Sequence, residues 1–347
     1  MPKVAAELAA IYLAKGVAAT TAIEGNSLTE DEVRDVLAGK KALPAALNYL
    51  AVEVKNVEKL LGDIHASARQ GERFVLTPQW LMAANRQILA DISVAEHVRP
   101  GVFTTDQLRV GGYKTAPPQD VPYLVDRLCE WINSRLDEAE SLPDDFAFVN
   151  AVITAILAHL YLVWIHPFGD GNGRTARALE CAIMERAGVP WISANLLSDF
   201  YNRTRSQYYA RLNAASADND VHGFIEYAVT GFVALLREQI SHVQKMQRSV
   251  AWTNYVHQVF QSQPSSEAAK RRRALVLALP ERGAERGSLR HLTPQVAEMY
   301  SGKATNTLTQ DLNKLSELGL VTQTSRGHYR PALGIISAFL PDAAHRP

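Results

Sequence analysis

The 347-residue sequence has few cysteines, no excess of charge and no long unbroken apolar run. Its two cysteines, Cys129 and Cys181, fall in apolar-rich helical stretches, with no Cys-x-x-Cys or zinc-type spacing. That excludes a disulfide framework and a thiolate metal cluster, and leaves two buried free thiols. Lys and Arg total 36, as do Asp and Glu, so no global field gathers nucleic acid or membrane onto the chain. The first residues are alanine-rich but interrupted by Lys3, Glu7 and Lys15, and lack the clean apolar region of a signal peptide. The longest apolar run, 151–165, is shorter than a bilayer span and reads as a core helix. No repeat or low-complexity tract stands out, and the phosphate-binding pattern Gly-x4-Gly-Lys-Ser/Thr is missing. The expected setting is the reducing cytoplasm, with no membrane partner.

What is present is concentrated in His166-Pro167-Phe168-Gly169-Asp170-Gly171-Asn172-Gly173-Arg174-Thr175-Ala176-Arg177. The apolar run predicts a buried helix ending at His166, and a second helix is expected from Arg174 to Ala187. Each residue type between them has a chemical use. Gly171 and Gly173 let successive N–H groups converge on an anion, and the following helix start adds its dipole. Arg174 and Arg177 are three apart, so they share a helix face, and guanidinium forks suit phosphate oxygens. Asp170 is a hard oxygen ligand suited to Mg²⁺ bridging phosphates. His166 titrates near neutrality and can take a proton from a hydroxyl. Phe168, an aromatic in a polar loop, is expected to plug into the core. Gly171 to Ala176 fits a dinucleotide fingerprint on paper, but no strand runs into the first glycine. The set suits phosphoryl or nucleotidyl transfer.

This stretch resembles the Fic-domain motif, His-x-Phe-x-Asp/Glu-Gly-Asn-Gly-Arg-x-x-Arg, without departure. The resemblance implies a mainly α fold, a Fic-type helical core with a β-hairpin flap, and transfer of AMP from ATP to a protein hydroxyl. It implies His166 as general base and Asp170 as the holder of Mg²⁺. Asn172 and the Gly171–Gly173 loop would hold the α- and β-phosphates, Arg174 the β-phosphate side and Arg177 the γ-phosphate. Phe168 and Gly169 complete the nucleotide-binding stretch. The Doc-type kinase branch carries Lys where this chain has Gly173, so Gly173 favours nucleotidyl transfer.

A second signal is Thr20-Thr21-Ala22-Ile23-Glu24-Gly25-Asn26. It reads as a helix end with Gly25 or Asn26 in the left-handed cap, followed by a capping box at Thr29 to Glu32. A carboxylate at a helix C-terminus is unfavourable against the dipole, so Glu24 needs a partner. The stretch is similar to the Fic inhibitory motif, Ser/Thr-x-x-x-Glu-Gly/Asn. That likeness implies that Glu24 pairs with Arg177 and blocks placement of the γ-phosphate.

Residues 101–115 alternate and turn like a hairpin inside a helical chain. They resemble the Fic flap, with Val110, Gly111 and Gly112 against the target segment, although family members often carry Arg at the place of Thr104. A surface hairpin without function is the competing reading. Tyr208 and Tyr209 resemble the family's adenine-pocket position, and core packing explains them equally well.

The expected organisation is N-terminal helices over 1–38, a catalytic domain over 39–260, a polar linker at 261–267, and a winged helix-turn-helix over 268–335. DNA binding would use the 304–318 helix, but its expected surface, Thr305, Asn306, Gln310, Asn313 and Lys314, is hardly basic. The module is therefore read as a protein-interaction or dimerisation wing, and a homodimer is one assembly it would allow. The complete expectation is an auto-inhibited adenylyltransferase using ATP and Mg²⁺ on a protein target, this chain included. AMP removal at the same site, and an ATP-gated regulator of DNA or partner binding, are the alternatives. His166 favours the enzyme, because a binding module has no need of a base there.

Overall fold

The computed structural model describes residues 2–110 and 113–337. They fall into two compact units, Met1–Gln239 and Ile240–Pro347.

The first unit is built around the helix Asp144–Ile165, which packs against Val121–Ala139 on one side and Asn172–Arg186 on the other. Asp144 and Asp145 start this helix several residues before the apolar run, where carboxylates suit the positive end of the dipole. By length and composition alone it could cross a bilayer. In the fold the middle of the helix is packed, with Ala151, Ala155, Ile156, Ala158, Leu160 and Leu162 fully buried, while Phe146, Phe148 and Val149 near its start are exposed. Apolar residues all round this middle stretch fit a position enclosed by neighbours. Alanine at three of these positions lets the flanking helices approach closely. Ala155→Leu would overpack that contact at a cost of about 1–3 kcal/mol.

Other helices surround this centre. Pro2–Ile23 packs on Leu196–Arg203, while Asn48–Arg69 and Pro78–Ile88 both pack on Asn172–Arg186. The stretch after residue 198 is broken into Leu196–Arg203, Arg205–Ala217 and Val221–Gln261. The only strands described in this unit are Arg109–Val110 and Tyr113–Lys114, paired antiparallel with Arg109 opposite Lys114. Gly111 and Gly112 lie outside the described residues. The hairpin is thus shorter than the alternation over 101–115 suggests. Its approach is stitched to the 166–177 loop by a bridge between Phe103 and Phe168 and by Thr104 N–H donating to the Pro167 carbonyl at 2.8 Å.

The second unit begins inside the helix Val221–Gln261, upstream of the 261–267 stretch. Trp252, Val256 and Phe260 of that helix share a core with Leu275, Val276, Leu289, Leu308, Leu312 and Leu315. The unit adds helices Glu267–Ala278, Pro294–Tyr300 and Thr305–Glu317. A three-stranded antiparallel sheet follows, in the order Ala284–Glu285, His328–Pro331, Val321–Ser325.

Candidate active site

His166 closes the central helix in the left-handed conformation, φ 53°. That state costs a non-glycine residue about 1–3 kcal/mol, and it is held because Pro167 bars the helix from continuing. His166 Nδ1 lies 3.2 Å from the Val163 carbonyl. Since a carbonyl only accepts, Nδ1 carries the proton and the Nε2 lone pair is left to act as a base. Burial pushes the His166 pKa below its ordinary 6.5, against the opposing pull of the Val163 bond, Glu24 and Asp170. The imidazole is therefore neutral at neutral pH.

The loop that follows is held from inside. Phe168 is buried with its ring 5.5 Å from Phe103. Asn172 accepts from Phe168 N–H at 3.0 Å and donates to the Phe168 carbonyl at 2.7 Å. Its side chain thus braces the loop, and any N–H groups offered to an anion would be those of the backbone around it. Gly171 has φ +78°, and a β-carbon there would sit 2.8 Å from Asn85 Nδ2. Asn85 itself is fully buried. It donates to the Asp170 carbonyl at 2.9 Å and accepts from Gly101 N–H at 2.9 Å.

Both arginines point inward and meet carboxylates. Arg174 Nη1 donates to Glu53 Oε1 at 2.5 Å and its Nη2 to Asp170 Oδ1 at 3.2 Å. Glu53 also accepts from Asn26 Nδ2 at 2.9 Å. Arg177 is buried, with Nε donating to the Thr20 hydroxyl at 2.6 Å and Nη2 to the Thr20 carbonyl at 3.0 Å and to Glu24 Oε1 at 2.7 Å. Burial disfavours the Glu24 charge, but Arg177, with help from Arg174 and Arg205, outweighs it and holds the carboxyl below its ordinary value. The helix Pro2–Ile23 stops just before Glu24, and Gly25 follows at φ 105°. Glu24 therefore reaches Arg177 from a turn, not from a helix face. Gly173 makes room for it, since any β-carbon there would collide with the Glu24 carboxylate.

A cavity of about 400 Å³ joins these groups, lined by Glu24, Val110, His166, Gly173, Tyr208 and Tyr209 among others. Three larger described cavities, about 490, 450 and 450 Å³, contain none of residues 166–177, so the candidate groups meet in the smaller one. Tyr208 is buried with its hydroxyl 2.9 Å from His159 Nε2, so it is core and wall at once. Tyr209 is 45 % exposed and donates to the Ile23 carbonyl at 3.2 Å. Among the described residues, Arg174 Nε and Arg177 Nη1 are buried without an acceptor. Such donors cost free energy until an anion meets them, and phosphate oxygens would. No group of three His, Cys, Asp or Glu among the described residues could cage a metal. A single carboxylate fits Mg²⁺ that takes its remaining ligands from phosphates and water. Asp170, with its side chain 47 % exposed, can supply it.

Two contributors are not apparent from the motif. Asn85 lies on the buried face of Pro78–Ile88 with Leu81, Ala84 and Ile88, and an amide on an apolar stripe is the signal that would have found it. Glu53, on Asn48–Arg69, carries no sequence signal at all.

Residues 75–184 match a family model described as the Fic/DOC family. A curated relative from Drosophila mojavensis, Protein adenylyltransferase Fic, is 31% identical over 205 residues, covering 59% of this chain and 37% of its own. Protein adenylyltransferase fic-1 of Caenorhabditis briggsae is 29% identical over 221 residues, 64% of this chain and 40% of its own. The chain thus spans about two fifths of the length of these relatives. Among solved structures, a Fic family protein from Desulfovibrio desulfuricans G20 aligns with TM-score 0.55 at 20% identity, over 92% of this chain and 86% of its own. Fic-1 from C. elegans aligns with TM-score 0.53 at 24% identity, over 66% and 63%. These likenesses show the fold.

Proposed function

The chain carries a Fic/DOC-type domain over residues 75–184, and from it we propose an auto-inhibited protein adenylyltransferase that moves AMP from ATP to a Ser, Thr or Tyr hydroxyl of a protein. The observation that carries this reading is the single cavity shared by His166, Gly173 and Glu24, with Arg177 turned onto Glu24 at its side. The curated relatives' name, protein adenylyltransferase, supports the same chemistry. The acceptor hydroxyl attacks the α-phosphorus of ATP as His166 Nε2 takes its proton. The bond from the α-phosphorus to the bridging oxygen breaks, and pyrophosphate leaves. Positioning and charge neutralisation lower the barrier most, through the loop N–H groups, Arg174 and Arg177. Asp170 would hold Mg²⁺, which neutralises phosphate charge when bound. Val110, 40 % exposed at the cavity, supports a flap whose strand edge pairs with an extended target segment. While Glu24 occupies Arg177, the γ-phosphate lacks its partner and the α-phosphate is not turned toward the acceptor. The test is incubation with Mg²⁺ and labelled ATP. Label from the α position on protein, with none from the γ position, is the expected result. The opposite pattern would replace this reading with a kinase.

A further inference from the structure

The overall charge balance hides a segregation. Residues 240–347 hold fourteen Lys and Arg against seven Asp and Glu, whereas residues 1–239 hold twenty-two against twenty-nine. Within the basic unit, the helix Thr305–Glu317 exposes Thr305, Asn306, Gln310 and Asn313 and buries Leu308, Asp311, Leu312 and Leu315. Residues 306, 310 and 313 follow helical spacing and form one face. Its cations come from other segments. Arg286 N–H donates to the Gly327 carbonyl at 2.7 Å, and its Nη2 donates to the Thr309 hydroxyl at 2.5 Å. That residue ties the hairpin turn to the helix. Arg290 Nη2 donates to the Ala304 carbonyl at 2.7 Å, beside the start of the helix. Lys303 in the preceding turn and Arg326 in the hairpin turn are exposed.

Arg286 and Arg290 are held by neutral acceptors, so their charge is not cancelled. The ion pairs described in this unit lie elsewhere, at Lys270–Glu267, Arg271–Asp311, Arg272–Asp311 and Lys314–Glu317. The acidic residue in the middle of the helix, Asp311, points inward and is neutralised there. An amide-bearing helix flanked by Arg286, Arg290 and Arg326, none of them in an ion pair described in this unit, matches a polyanion that displays hydrogen-bonding edges in a groove. Lys303, close enough to Glu267 to lower its pKa, adds to them in part. We infer that this unit binds double-stranded DNA, with Thr305–Glu317 in the major groove and Arg286, Arg290, Lys303 and Arg326 on phosphates. Phosphate contacts set register and base contacts set sequence, and Asn or Gln amides pair best with adenine edges. The helix itself is hardly basic, so its sequence alone argues against DNA. The flanking cations sit far enough along the chain that only the fold brings them beside it.

The test uses the full chain, a random duplex library for selection, and fluorescence anisotropy on the selected duplex. Binding is expected to weaken with salt. Arg286→Ala with Arg326→Ala should lower affinity at least tenfold and reduce the salt slope by about two, one for each lost phosphate contact. Asn306→Ala with Gln310→Ala should remove the preference for the selected site and leave non-specific affinity in place. Both pairs of residues include exposed side chains, and unchanged melting curves would confirm folding. Failure to bind duplex at about 50 mM salt, affinity indifferent to the arginine pair, or preference for single-stranded RNA overturns the proposal.

Discussion

Each unit holds a buried arginine against a carboxylate, and the two pairs are built differently. In the first unit Arg177 is almost wholly buried, but the Glu24 side chain is 31% exposed and a single arginine meets it, at 2.7 Å. One guanidinium N–H of Arg177 stays buried without an acceptor. In the second unit Asp311 is 1% exposed and accepts from Arg271 twice, from Arg272 and from the Tyr300 hydroxyl. A carboxylate satisfied from all sides and closed off from water acts as a brace, because losing it strands several donors. A carboxylate with one contacting arginine and a path to solvent is built to serve as a latch, because a competing anion could replace it. The difference lies in how many donors surround the carboxylate, and pairing alone does not reveal it.

The largest effect tests whether a working site lies behind the latch. In a Glu24→Gly background, His166→Ala should reduce transfer by about 10²–10⁴-fold while ATP binding, measured by calorimetry, persists. Loss of binding along with activity would make His166 a nucleotide-holding or structural residue, and the latch would then have no base to guard.

The next tests the brace. Asp311→Ala should destabilise the second unit by about 3–5 kcal/mol, the cost of stranding buried charge, seen as an early transition in denaturant. Label transfer by the first unit should persist below that transition. A melting curve like that of wild type would demote Asp311 to an incidental contact.

The third tests the latch directly. Glu24→Gly should raise label incorporation at least tenfold, which corresponds to about 1.4 kcal/mol. Stability should fall by less than in Asp311→Ala, since Arg177 keeps its two Thr20 acceptors and the lost carboxylate is partly open to water. Adding Arg177→Ala should abolish the gain, because the freed arginine is its cause. A folded Glu24→Gly protein no faster than wild type would leave Glu24 as an ordinary turn residue.

The sequence made the latch legible and the brace illegible, for a physical reason. The 166–177 stretch packs its chemistry into consecutive residues, and Glu24 stands at a helix end where a carboxylate is out of place, so both carry local signals. The central helix was equally clear from its apolar run. By contrast, Asp311 reads as one more polar residue on an amphipathic helix until Arg271 and Arg272, forty and thirty-nine positions away, are brought to it. Glu53 on Arg174 and Arg286 on Thr309 were hidden in the same way. The unit boundary was also displaced, because Trp252, Val256 and Phe260 continue a helix that otherwise reads as part of the preceding domain.

The smallest effect separates the latch from the base by pH. Arg177 depresses the Glu24 pKa below the ordinary 4.5. A depressed carboxylate keeps its charge, and so its hold on Arg177, above the ordinary value and loses them only as pH falls through the lowered one. Inhibition should therefore stay in place across neutral and mildly acidic pH. His166 behaves otherwise. Burial lowers its pKa below 6.5, while the Glu24 charge pulls it back up. Removing Glu24 removes that upward pull, so the imidazole should stay neutral to lower pH in Glu24→Gly than in wild type. The acid limb of the transfer rate should move down in the variant, and the ratio of variant to wild-type rate should grow modestly as the medium is acidified. Label incorporation at matched protein concentration, from about pH 8 downward through the histidine range, measures both limbs. If the ratio instead collapses toward one before the limb of the variant is reached, Glu24 is titrating near neutrality. Arg177 would then not be holding a depressed carboxylate, and the contrast with Asp311 would rest on burial alone.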